Sequence, residues 1–175
     1  MKRFFAAAVL IATPAFAQAP APPSALGTTM GVWQGVSAFI VQSAEQMPEA
    51  DYAYKPVATV RSFGELIGHV AGSQNMFCAA ALGEKPAAEN DIEKNVKTKA
   101  GLVAALKASN EYCRRAYMQT DAQAMGTTRL FDSDTSRMQV LTQNATHISE
   151  HYGNMVTYFR MKGMVPPSSQ PRPAQ

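Results

Sequence analysis

The chain has 175 residues, 46% of them hydrophobic, which is enough for one domain with a real core. The formal net charge is only +3 at pH 7, with Lys and Arg scattered along the chain. No basic stripe is interleaved with aromatics, so the sequence points away from nucleic acid as a partner.

Residues 1–17, MKRFFAAAVLIATPAFA, place Lys2 and Arg3 ahead of an apolar run and finish on small residues at Ala15 and Ala17. This is the pattern of a secretory signal peptide with an A-x-A cleavage site. The mature protein is expected to begin at Gln18 and to be exported, to the periplasm or beyond. Removing Lys2 and Arg3 leaves 14 basic residues against 13 acidic ones, a net charge of +1. The apolar run is too short to span a bilayer and no later one is long enough, so no stable membrane insertion is expected.

Residues 18–24, QAPAPPS, read as a flexible lead-in. A first helix is expected from about Ala25 to Gln46, where Leu26, Met30, Trp33, Val36 and Ile40 recur at helical spacing and Pro48 forces a stop. An irregular connector, Met47 to Arg61, follows. Ser62 and Glu65 then form an S-x-x-E capping box that opens a second helix, which Gly83 closes. GEKPAAENDIEKNVK reads as a charged link, and a third helix as running from about Lys97 to Met118. MQTDAQAMGTTRLFDSDTS is turn-rich, with a short helix near Asp121. The fourth helix is expected from about Ser136 to Lys162, with Gly163 as its stop and residues 166–175 as a disordered tail.

No stretch alternates with period two, and four long helices over residues 25–165 make an all-α four-helix bundle the economical architecture. The link between helices two and three can reach roughly 45 Å, against about 30 Å for a twenty-residue helix. Those two helices can therefore run parallel, joined by a crossover, in an up-down-down-up bundle. Cys78 and Cys113 lie at matching depths in parallel helices, each about sixteen residues past the starts at Ser62 and Lys97, and a disulfide is then feasible. Export would favour it; the alternative is two buried thiols.

The chain holds three histidines: His69 in the second helix, and His147 and His151 in the fourth. A spacing of four puts the last two on one helical face, where two imidazoles can grip one cation. If the fourth helix opposes the second, His69 comes to a comparable height. Three imidazoles leave coordination positions open, which reads as catalytic where a closed four-ligand site reads as structural. Zinc, nickel, iron or manganese would suit such ligands. A lone apolar-face histidine is more often a satisfied core residue, so the inference rests on the joint pattern.

Glu150 completes H-x-x-E-H, in which the carboxylate serves as general base; the plainer reading is a solvated or salt-bridged side chain. Asn144, Gln74 and Tyr158 are candidate pocket groups, with Tyr158 equally a piece of wall or core.

The segments GELIGHVAGSQNMFC and HISEHYGNMVTYFRMKGMVPPSS resemble the DinB-like (YfiT-like) metal-binding bundles. The resemblance covers nearly the whole mature chain. It implies an up-down-down-up four-helix bundle and a divalent metal site at His69, His147 and His151. It also implies a small-molecule substrate, since some such proteins are S-transferases joining bacillithiol or mycothiol to electrophiles. The expectation is an exported metal-dependent hydrolase or S-transferase-like enzyme acting on a small electrophile. A non-catalytic, metal-stabilised binding module is the alternative, and a homodimer would be unsurprising.

Overall fold

The computed structural model describes residues 24–171. The expected signal peptide and all of the lead-in but Ser24 lie outside the described residues, as do residues 172–175.

Four hydroxyl residues start the four long helices. Ser24, Ser62, Thr98 and Ser136 each accept a hydrogen bond from the backbone N–H three residues on, which satisfies a donor that no helical carbonyl can reach. The helices so opened are α1 (Ala25–Gln46), α2 (Phe63–Leu82), α4 (Lys99–Tyr117) and α6 (Arg137–Met161). Between them lie two short ones, α3 (Asp91–Asn95) and α5 (Asp121–Ala124). At Ser62 the expected capping box is complete, with Glu65 reaching back to the Ser62 N–H at 2.7 Å. At the other end of α2, Gly83 takes a left-handed conformation, φ 75°, that a side chain would disfavour.

Contacts between helices give their directions. Trp33 stacks on Tyr117 at 4.6 Å near one end, while Lys99 Nζ donates to the carbonyls of Glu45 and Met47 at the other, so α1 and α4 are antiparallel. Leu102 lies against Gly64, and a disulfide joins Cys78 to Cys113 with a Cα–Cα distance of 5.2 Å, so α2 and α4 run parallel. Phe63 meets Phe159, and His69 meets His147, so α2 opposes α6. The result is an up-down-down-up bundle. Seventeen of the twenty residues of α2 are buried, which makes it the central helix. No described helix is long and apolar enough to cross a membrane.

The parallel α2 and α4 need a crossover, and residues 84–98 supply it, with α3 as a single turn within them. It lies directly on α2. A Cβ at Gly68 would sit 2.7 Å from the Glu93 Cα, and one at Gly72 would fall on the Glu89 carbonyl. Two glycines four apart thus leave a groove on one face of α2 that the crossover fills.

Three details differ from the sequence reading. The third long helix begins at Lys99, because Thr98 supplies its cap and Val96 ends the preceding turn in extended conformation. The turn-rich stretch contains a two-stranded antiparallel hairpin, β1 (Thr127–Leu130) and β2 (Ser133–Ser136), whose tip residues Phe131 and Asp132 have φ of 47° and 63°. Positive φ at both tip residues matches the twist of tight hairpins, and Thr128 Oγ1 ties the strand to the end of α2 through the Ala80 carbonyl. Finally, the start of the tail is ordered: Pro167–Ser169 form a 3-10 turn with Pro167 buried, and Ser168 N donates to Tyr152 Oη at 2.9 Å. Composition alone hides that docking.

Candidate metal centre

His69 projects from α2, and His147 and His151 from successive turns of the facing α6. The Nε2 atoms of His69 and His147 are 3.3 Å apart, and those of His147 and His151 are 3.0 Å apart. All three rings offer a ligand atom within 4.8 Å of the others. A tetrahedral ion with metal–nitrogen bonds of about 2.0–2.1 Å needs nitrogens roughly 3.3 Å apart. The donor set therefore fits a divalent cation held by three imidazoles, which account for three of the four positions of a tetrahedral ion.

The electrostatics suit the same role. His69 and His151 are each only 7% exposed. Burial lowers the proton affinity of all three rings: most for His151, down to about 3, helped by its two histidine neighbours and Arg61. For His69 the Arg61 guanidinium and His147 add to burial, and for His147 burial dominates. Neutral rings keep the lone pairs that a cation requires.

The other ring nitrogens face different surroundings. His69 Nδ1 lies 3.6 Å from Glu93 and 3.8 Å from Glu89, both on the crossover. His151 Nδ1 is 3.5 Å from the Asn154 amide. His147 Nδ1 is buried and has no hydrogen-bond partner among the described residues; its ring is held by packing, with Phe77 at 5.5 Å.

His151 opens onto a cleft of about 760 Å³, whose walls include Arg61, Glu65, Glu150, Asn154 and Tyr158. That volume lies within the usual range for small-molecule sites, about 300–1,000 Å³. Glu150 is exposed on the cleft beside His151. Tyr158 forms wall, its hydroxyl donating to the Arg61 carbonyl at 2.5 Å and so fastening the connector to α6.

Two expected pocket residues lie elsewhere. Gln74 is 1% exposed; it accepts from Trp33 Nε1 at 2.7 Å and donates to Asn110 Oδ1 at 2.8 Å, a polar tie among α1, α2 and α4. Asn144 is wholly buried, its amide donating to Tyr117 Oη at 3.2 Å and lying 3.6 and 3.8 Å from the two disulfide sulfurs. The α6 stripe that carries the histidines continues past the site into the core, and Asn144 is on that continuation. The neighbours that sequence reasoning missed are Glu89, Glu93 and Arg61. Their signal, two glutamates four apart in a charged link, is indistinguishable from a solvated face until the link is seen lying on α2.

Fold and site together define an up-down-down-up helical bundle with a three-histidine cluster between its second and last long helices. The chain belongs to the DinB superfamily, whose sequence profile matches residues 38–155. No curated protein matches it. Among solved structures, a DinB-like protein from Bacillus cereus superposes with a TM-score of 0.70 at 12% identity, over 83% of this chain and 97% of that one. YfiT from Bacillus subtilis, described as a probable metal-dependent hydrolase with an unusual four-helix bundle topology, gives 0.63 at 15% identity, over 87% and 94%. A mycothiol-dependent maleylpyruvate isomerase gives 0.59 at 14% identity, over 85% and 80%. At such identities the likeness is one of fold.

Proposed function

We propose that this protein holds one divalent cation on the Nε2 atoms of His69, His147 and His151 and acts on a small electrophile as a hydrolase or thiol S-transferase-like enzyme. The observation that carries the reading is the convergence of three imidazoles, two buried and one half-buried, from two facing helices beside a cleft of substrate size. The descriptions of YfiT as a probable metal-dependent hydrolase and of the isomerase as mycothiol-dependent support both arms. Zinc, nickel, iron and manganese all suit the ligands.

The cation would supply Lewis acidity toward a water or thiol nucleophile and toward the electrophile. The chain's own residues do the rest. Glu150 stands on the cleft next to His151 and is the candidate proton acceptor. Asn154 borders the outer nitrogen of His151 at 3.5 Å, and with its carboxamide oxygen turned to that nitrogen would accept the Nδ1 proton of a ring ligating through Nε2. Tyr158, with its hydroxyl committed to the Arg61 carbonyl, shapes the wall. The protein is exported after cleavage at about Ala17, a reading supported by the leader pattern and by the Cys78–Cys113 disulfide.

Elemental analysis of natively purified protein and of the His151→Ala variant tests the metal. About one equivalent in the wild type and little in the variant is expected; equal content in both removes the proposal. Activated esters and thiol–electrophile pairs test the chemistry, with Glu150→Gln expected to lose turnover while retaining metal. The second reading is a brace, favoured by the ligands coming from two opposed helices. It predicts that chelation lowers the melting temperature while every substrate stays untouched.

A further inference from the structure

The crossover between α2 and α4 brings two carboxylates to the outer side of His69. Glu93 Oε2 is 3.6 Å and Glu89 Oε1 3.8 Å from Nδ1, the ring nitrogen that faces away from the other two histidines. Each carboxylate is itself held. Ser73 Oγ donates to Glu89 at 2.8 Å, and Arg61 Nε pairs with Glu93 at 2.9 Å. The backbone carrying both is seated against α2, where Gly68 and Gly72 leave it room. Glu93 is the more shielded, with 17% of its side chain exposed against 37% for Glu89.

We propose that Glu93, with Glu89 in support, is a positioning residue for His69: the two carboxylates keep the ring proton on Nδ1 and aim Nε2 at His147 and His151. The inference rests on the three-histidine reading above. A neutral imidazole carries one N–H, and two carboxylates 3.6 and 3.8 Å from Nδ1, too far for a direct hydrogen bond, favour by their negative charge the tautomer whose Nδ1–H faces them and whose Nε2 lone pair is free. Carboxylates behind ligand histidines also raise their basicity toward the ion, and their loss typically costs 10–100-fold in affinity. Among the described residues His147 Nδ1 has no hydrogen-bond partner and His151 Nδ1 has only the Asn154 amide at 3.5 Å, so carboxylates stand behind His69 alone of the three rings.

The test compares the wild type with the Glu89→Ala/Glu93→Ala double variant and the Glu93→Gln single variant. Zinc affinity is read by competition with a chromophoric chelator, and the His69 tautomer by nitrogen-15 chemical shifts in metal-free protein. We expect wild-type His69 to carry its proton on Nδ1. The double variant should shift it toward Nε2 and bind zinc about 10–100-fold more weakly. Glu93→Gln, which keeps the size and one acceptor oxygen, should fall between, and it carries the test if the double variant does not fold. Wild-type affinity and an unchanged tautomer in folded variants would overturn the proposal. A wild type that takes up no zinc would instead sink the metal reading, while the tautomer comparison would still decide what the glutamates do.

Discussion

Gly72→Ala, set against Gly31→Ala, tests whether the crossover truly rests on α2. Both glycines lie inside long helices, where alanine is better by about 0.5–1 kcal/mol on propensity and chain entropy alone. At Gly31 a Cβ meets nothing within 4 Å among the described residues, so the gain should be realised. At Gly72 the Cβ would fall on the Glu89 carbonyl, which is backbone and cannot swing aside. Relieving that overlap costs about 1–3 kcal/mol, as for other overpacked sites. Lifting Glu89 also breaks its hydrogen bond to Ser73, worth about 1 kcal/mol. The net effect is a loss of about 2–3 kcal/mol, near the upper end because the neighbour is rigid. With roughly 2–4 °C of melting temperature per kcal/mol for a chain of this size, Gly72→Ala should melt about 4–12 °C lower and Gly31→Ala about 1–4 °C higher. Circular dichroism melts of metal-free protein would read both. A Gly72→Ala protein as stable as the wild type would show that the link does not lie in this groove.

The disulfide closes a separation of 35 residues, so chain-entropy reasoning gives about 4 kcal/mol for its loss; denaturant titration of the Cys78→Ala/Cys113→Ala protein checks this. Zinc at 100 times its Kd should stabilise the wild type by about 2.7 kcal/mol, reversibly with chelator, and leave His151→Ala unmoved; melts with and without zinc decide it. Glu65 is pulled from 4.5 down to about 2, first by hydrogen bonding to Lys55 and then by the Ser62 backbone. A lowered carboxyl value stabilises the fold fully above 4.5, and that contribution is lost as pH falls toward and through 2. Glu65→Gln should therefore flatten the acid side of the stability profile, read by urea titrations between pH 7 and pH 2, with a modest effect because the side chain is 38% exposed.

The long helices were legible because each carries its own stop and start. Ser62 with Glu65, Gly83 and Pro48 act within one turn of backbone, and apolar spacing does the rest. The histidine trio was legible as a hypothesis because His147 and His151 share a face whatever surrounds them, and a long link allowed α2 to oppose α6. Asn144 and Gln74 misled because a helical wheel shows a stripe but not which neighbour covers each turn. Both sit on turns where α2 and α6 meet the disulfide and Trp33, and there a polar side chain is satisfied internally. The hairpin escaped because its strands are four residues long and rich in Ser, Thr and Asp; its register is held by the helix ends it touches. Glu89 and Glu93 escaped for a related reason: their partners are 16 and 24 positions away from them in the chain, at Ser73 and His69.

The helices α2 and α4 could have been joined by a tight bend, which would have turned α4 around and left the back of the His69 ring facing open water. By keeping the same heading instead, the backbone must travel the length of the molecule in a return strap, and that strap walls the imidazole cluster from outside. What looks like a detour in the wiring is a fifth side to a four-sided cage. Changing the strap's length or sequence would accordingly retune the surroundings of the three imidazoles while every long helix stayed as it is.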